Sequence, residues 1–258
     1  MRLTMPDRKP RYGIEVVCEY GFRPLAHVLA RLLAPLRVPP PAVALAACSA
    51  GIAAAVEIGR GELVAAALVL QLKTVLDNAD GQLARLSGRV SAFGRYLDSE
   101  SDLVVDAALF AALGLRLGPW LALAGFLALT FVLGANYNVE RLYRRAGGEE
   151  AAAMPPAGDR PTRVLARVYA LVYGPQDRVV EALARRRPRA WHRDAVAVWV
   201  LANFGLSTQL AVLGLCLVLG HPAVYLAVLV GCVAAVAVLA LRRERLARRA
   251  LQPIVVLE

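Results

Sequence analysis

Paired cysteines and convergent histidines are missing from this chain, and no cleavable leader is evident in it. The four cysteines stand at 18, 48, 216 and 232, three of them inside apolar segments and none at a paired spacing, so neither disulfides nor a zinc site is expected. His27 and His221 read as lone surface residues, and His192, between Trp191 and Arg193, as an interfacial anchor. Met1–Arg11 is polar and basic, but no apolar stretch with a small-residue cleavage site follows directly, so the first hydrophobic segment is expected to stay in the protein. No strong internal repeat and no inverted pair of broken helices is visible. The formal net charge of +10 comes without a recognisable reader motif, so nucleic acid is not an expected partner.

What the chain has is apolar length. Of its 258 residues, 58% are hydrophobic, gathered in long runs separated by arginine-rich gaps, which is the composition of a polytopic membrane protein. A span needs ~20 apolar residues, and six stretches qualify: 41–59, 61–79, 92–116, 118–138, 195–219 and 222–241. The third carries Asp98, Glu100, Asp102 and Asp106 near its start and is counted because Leu103–Leu117 continues it. The expected fold is therefore an all-α polytopic membrane protein with six transmembrane helices.

An amphipathic interfacial helix is expected before them, in residues 21–40, where Leu25, Val28, Leu29, Leu32 and Leu33 oppose Arg23, His27 and Arg31. A second such stretch, Pro161–Arg187, is broken at Gly174–Pro175 and follows a linker at Gly147–Pro161. Seven Lys/Arg in 1–38, three in 80–95, twelve in 139–194 and five after Leu241, against at most one in each intervening turn, put both termini in the cytoplasm. The chain reads as one membrane domain, 1–258: a cytoplasmic N-terminus with its interfacial helix (1–40), a bundle (41–242) with a cytoplasmic loop (139–194), and a cytoplasmic tail (243–258). The basic rim would touch anionic membrane lipids.

Chemistry concentrates between Leu76 and Asp102. Asp77 and Asp80, spaced i,i+3, close the second span, and Asp98 and Asp102, spaced i,i+4, open the third, so each pair shares a helix face and the short turn lets the pairs meet. Two carboxylates ~5 Å apart at an effective dielectric of ~20 repel by ~3 kcal/mol, so a cation must sit among four. Lys73 and Arg85 could supply it as a structural ion-pair cluster, but buried ion pairs seldom offset their desolvation. Oxygen-only ligands point instead to a hard ion, Mg²⁺ or Mn²⁺, and four aspartates can hold two ions, an arrangement suited to phosphoryl transfer.

In full the stretch is D-x2-D-G-x2-A-R-x8-G-x3-D-x3-D, filled by Asp77, Asp80, Gly81, Ala84, Arg85, Gly94, Asp98 and Asp102. Eight fixed positions at ~5–8% background arise by chance at a given start with probability on the order of 10⁻¹⁰. The motif, the six-helix layout and the amphipathic N-terminal helix resemble the CDP-alcohol phosphotransferase family. The resemblance implies metal-dependent transfer of a substituted phosphate from a CDP-alcohol donor to an alcohol acceptor, release of CMP, a site at the cytoplasmic face, and a homodimer. It implies Asp77, Asp80 and Asp98 as metal ligands, Asp102 as general base that can also touch a metal, and a nucleotide lying against Asp80, Gly81, Ala84, Arg85 and Gly94.

Outside the motif, Asp106 and Glu100 read as helix or dimer contacts. Asn136 and Asn138 read equally as acceptor contacts or as helix termination, and Arg141, Arg144 and Arg145 as solvated charges. The first choice of donor is CDP-diacylglycerol, in phospholipid synthesis; the rival is a soluble donor such as CDP-inositol, making a di-inositol phosphodiester. A transporter with intramembrane carboxylates is the alternative of another class, and it has no reason to bind cytidine.

Overall fold

The computed structural model describes residues 12–149 and 156–251. Every regular element among them is helical. A π-helical turn, Cys18–Phe22, leads into α1 (Arg23–Leu33); α2 (Pro40–Arg60), α3 (Leu63–Leu86), α4 (Ala92–Leu117) and α5 (Pro119–Ala146) follow; α6 (Arg160–Val172), α7 (Gly174–Ala184) and the one-turn α8 (Arg189–His192) come next; α9 (Ala195–Ala202), α10 (Leu206–Val218) and α11 (Pro222–Leu251) complete the chain. Met1–Arg11, residues 150–155 of the expected linker and residues 252–258 of the tail lie outside the described residues.

Local chemistry sets the helix ends. Pro40 stands in the first turn of α2, after an extended Pro39, where its missing N–H costs nothing. Gly61, at φ 92°, turns the chain from α2 into α3, a left-handed conformation that glycine adopts without a Cβ clash. Ser91 caps α4, its hydroxyl accepting from the Gly94 N–H at 3.0 Å, and so fixes the start of the helix that carries Asp98 and Asp102.

Four helical stretches among the described residues are long and apolar enough to cross a membrane: Pro40–Arg60, Pro119–Ala146, Arg189–Val218 and Pro222–Ala250. α3 and α4 have the length, ~36 and ~39 Å at 1.5 Å per residue, but their polar residues, from Lys73 to Arg85 on one and from Arg95 to Asp106 on the other, keep them off that count. The expected fifth span is two helices, α9 and α10, broken at Asn203–Gly205. The N-terminal segment braces this break. The Asn203 side chain donates to the Ile14 carbonyl at 2.9 Å and accepts from the Val16 N–H at 3.0 Å, while buried Glu15 accepts from the N–H and hydroxyl of Thr208 at 2.9 and 3.0 Å.

The main core joins α2, α3 and α4 through Ala54, Ile58, Ala66, Leu70, Val105, Leu109 and Leu113, with Leu210, Leu213 and Tyr225 of α10 and α11 packed against them. Small residues set the spacing: a Cβ on Gly51 would stand 2.5 Å from both methyls of Val105. α1 lies over α3, with Ala26 and Ala30 against Ala79 and Leu83. Leu25, Val28 and Leu32 of α1 are exposed, whereas Leu29 and Leu33 turn inward, so the expected apolar face is divided between the protein and its surroundings. His27 is half-buried and its Nδ1 is 3.2 Å from Gln82 Oε1, which corrects its reading as a lone surface histidine.

Candidate active site

The motif assembles at one end of the bundle, where α3 ends, α4 begins and α2 contributes its first turn. A cavity of about 680 Å³ opens there. Seven of the eight motif residues line it: Asp80, Gly81, Ala84, Arg85, Gly94, Asp98 and Asp102. The eighth, Asp77, joins Asp98 and Asp102 in a carboxylate cluster in which one oxygen from each residue lies within 4.8 Å of the others. Asp80 stands outside that trio but is buried on the cavity wall. Helical spacing produces this: i,i+3 and i,i+4 neighbours share faces, and two antiparallel helices joined by a short turn bring those faces together.

Lys73 lies at the centre of the cluster. It is 1% exposed, and its Nζ donates to Asp77 Oδ1 at 3.0 Å and to Asp102 Oδ1 at 2.5 Å, joining α3 to α4. Each bond occupies one carboxylate oxygen and leaves the other available, so the donor set still suits a hard cation, which takes oxygen ligands only.

The two motif glycines differ from those used for packing. A Cβ on Gly81 would make only ordinary contact with the Arg85 guanidinium, at 3.5 Å or more, and one on Gly94 would meet only the Ser91 hydroxyl, at 3.2 Å. Neither faces a neighbouring helix, unlike Gly51 against Val105 or Gly125 against Phe110 and Leu226. The space beside Gly81 and Gly94 is cavity and not a neighbouring helix.

The far wall went unseen in the sequence. α6 docks on α4 through Tyr169, whose ring meets Tyr96 edge-on at 5.8 Å and Tyr173 at 5.0 Å. α7 packs on α5, with Gln176 donating to the Phe131 carbonyl at 3.3 Å and Asp177 accepting from Asn138 at 2.9 Å. Tyr137, Tyr169, Tyr173, Gln176 and Asp177 thus face the motif across the cavity. Burial pushes the Tyr173 hydroxyl well above the ordinary tyrosine range, with the carboxylates of Asp106, Asp102 and Glu100 adding to the effect. Periodicity marked this stretch as amphipathic, but tyrosines at 137, 169 and 173 have no spacing that announces a shared site.

Several remaining residues now have places. Asp106, read as a helix or dimer contact, also lines the cavity. Glu100 is buried off the cavity. Asn138 is 1% exposed and bonds the Gly134 carbonyl and Asp177, so it fastens α7 to α5 and does not line the cavity. Arg141 and Arg145 pair with Glu181 at 3.5 and 2.9 Å, and Arg144 with Glu149 at 3.1 Å. Arg89 and Arg95, unremarked in the sequence, join Arg85 on the cavity wall.

A family model described as CDP-alcohol phosphatidyltransferase matches residues 39–174, more than half of the chain, with every motif position and α6 inside the match. The chain belongs to that family. The family is generally dependent on a divalent metal. Among curated proteins, the chain is similar to the archaetidylinositol phosphate synthase of Aeropyrum pernix, 29% identical over 143 residues that make up 53% of this chain and 65% of the relative. It is also similar to two proteins named bifunctional IPC transferase and DIPP synthase. The one from Aquifex aeolicus is 37% identical over 93 residues, 34% of this chain and 21% of the relative; the one from Thermococcus kodakarensis is 34% identical over 119 residues, 42% of this chain and 26% of the relative. The chain spans less than two thirds of the length of each of these relatives.

Proposed function

We propose that this protein transfers a substituted phosphate from a CDP-alcohol, with CDP-diacylglycerol as first choice, to a hydroxyl of a second alcohol, releasing CMP in phospholipid synthesis. The observation that carries the reading is the single cavity wall on which seven motif residues converge beside the Asp77, Asp98 and Asp102 cluster. In the reaction the acceptor oxygen bonds to the phosphorus bearing the donor's alcohol, the bond from that phosphorus to the oxygen of the CMP phosphate breaks, and CMP leaves.

Asp77, Asp80, Asp98 and Asp102 would hold Mg²⁺ or Mn²⁺, as two ions. Bound divalent metal supplies charge neutralisation on the diphosphate and acidifies a nearby hydroxyl. Asp102 takes the proton of the attacking hydroxyl. Arg85 neutralises diphosphate charge, and Gly81, Ala84 and Gly94 leave the wall open for the nucleotide.

The same proposal counts α3 and α4 as spans, six in all, with their polar residues gathered at the cytoplasmic end, and lays α1 along the membrane surface with Leu25, Val28 and Leu32 toward lipid. It places both termini and the site in the cytoplasm and makes the active form a homodimer. A second reading, the same chemistry on soluble CDP-inositol, has the support of the two relatives named DIPP synthase. Purified protein is to be assayed by thin-layer chromatography with CDP-diacylglycerol and with CDP-inositol against glycerol phosphate, inositol phosphate and serine. CMP release that requires both a donor and an acceptor supports the transfer, the productive donor chooses between the readings, and no CMP release with any pair overturns both.

A further inference from the structure

The cavity lining divides by charge. Arg85 from the end of α3, Arg89 from the turn after it and Arg95 from the start of α4 supply the cations of the lining. The lining from Asp106 to the residues of α6 and α7 carries no lysine or arginine among the described residues. Asp106 is 6% exposed, and its Oδ1 is buried without a hydrogen-bond partner. It stands one helical turn beyond Asp102 on the same face of α4, ~6 Å along the axis. Tyr173 and Asp177 line the same side.

Three kinds of occupant can be compared against that wall. A phosphate would face the carboxylates of Asp106 and Asp177, and the ammonium nearest them, Lys73, is already bonded to Asp77 and Asp102, so it belongs on the arginine side. An acyl chain would desolvate two carboxylates and several hydroxyls and give nothing back. A hydroxyl group supplies what the wall lacks: its O–H can donate to a carboxylate oxygen and its oxygen can accept from tyrosine.

We propose that Asp106, with Tyr173, forms a hydroxyl-binding subsite that takes a second hydroxyl of the acceptor, so that the acceptor is a polyol held at one hydroxyl by Asp102 and at another by Asp106. This rests on the phosphotransfer reading for the role of Asp102. The ~6 Å between the two carboxylate-bearing positions is a separation that a compact polyol with hydroxyls on several carbons can bridge and an alcohol with one hydroxyl cannot.

The test measures binding without turnover. Full-length protein with saturating CDP and Mg²⁺ is titrated by calorimetry with myo-inositol, and with cyclohexanol as a control of the same ring size bearing one hydroxyl. Myo-inositol is expected to bind at least tenfold more tightly than cyclohexanol. Asp106→Ala should weaken myo-inositol at least tenfold while CDP affinity stays within twofold, and Asp106→Asn, which keeps a carbonyl acceptor, should lose less. Equal binding of the two probes, or unchanged myo-inositol affinity in Asp106→Ala, overturns the subsite. Should Asp106→Ala fail to fold, Tyr173→Phe is expected to weaken myo-inositol at least threefold, and an unchanged value overturns the proposal equally. If the wild type fails to bind CDP while myo-inositol binding still depends on Asp106, the subsite stands and the phosphotransfer reading falls.

Discussion

Lys73 of α3 and Asp102 of α4 are held together by a hydrogen-bonded ion pair, Nζ to Oδ1, with the same ammonium bonded to Asp77 one turn along its own helix. A side chain that sequence offers only as a structural cation thus touches the residue proposed as general base. It also explains how four carboxylates can coexist before any metal arrives: the ammonium already offsets part of their mutual repulsion.

Replacing Lys73 should therefore separate stability from metal affinity. Breaking a buried pair by removing one partner costs on the order of 3–5 kcal/mol, so metal-free Lys73→Met should melt well below the wild type. The freed oxygens of Asp77 and Asp102 no longer face a competing positive charge, so Mg²⁺ should bind more tightly and recover much of the lost stability. Thermal unfolding across a Mg²⁺ titration reads both quantities. A variant that loses metal affinity together with stability would show that Lys73 only shapes the site.

Removal of metal should abolish CMP release, because without a cation beyond Lys73 the carboxylate cluster repels a diphosphate. EDTA is expected to stop turnover, and Mg²⁺ or Mn²⁺ in excess to restore it. Full activity in chelator would sink the mechanism.

Asp102 and Asp77 should respond differently to the same change. Asp102→Asn is expected to lower turnover by ~10²–10⁴-fold, the usual scale for a lost general base, with CDP-alcohol binding largely kept. Asp77→Asn should weaken metal and nucleotide together. Equal loss of binding in the two variants would make Asp102 a ligand first.

The glycines provide the control for steric access. At Gly51 a Cβ already collides with Val105, so Gly51→Ala should destabilise the fold by ~1–3 kcal/mol, the usual cost of overpacking. At Gly94 the space beyond is cavity, so Gly94→Leu should fold and purify normally yet lose stabilisation by CDP with metal, which for the wild type at 100 times the dissociation constant is ~2.7 kcal/mol. Retained stabilisation would show that the nucleotide lies elsewhere along the motif.

These contrasts show which parts of the molecule could be read in advance. The eight motif positions were legible because fixed chemistry on two antiparallel helices leaves a fixed spacing. Asp106 was named only as a helix or dimer contact, since nothing in its spacing separates a cavity-lining carboxylate from one that pairs across helices; only the packed structure displays its place on the cavity. Tyr137, Tyr169 and Tyr173 escaped for another reason: the wall they build exists only after α6 folds back on α4. The break at Asn203–Gly205 was hidden because three residues barely dent an apolar average over a full span.

The clasp between Glu15 and Thr208 also constrains how the molecule is made. Its two halves lie 193 residues apart in the chain, and at ~5–20 residues per second of synthesis the buried carboxylate waits roughly 10–40 s for its partner to emerge. The segment around Glu15 can reach its final place only once the start of α10 exists, so it seals the bundle late although it leaves the ribosome well before α10. A cysteine pair at positions 15 and 208 should accordingly cross-link in full-length chains and in nascent chains stalled beyond α10, and in none stalled before it.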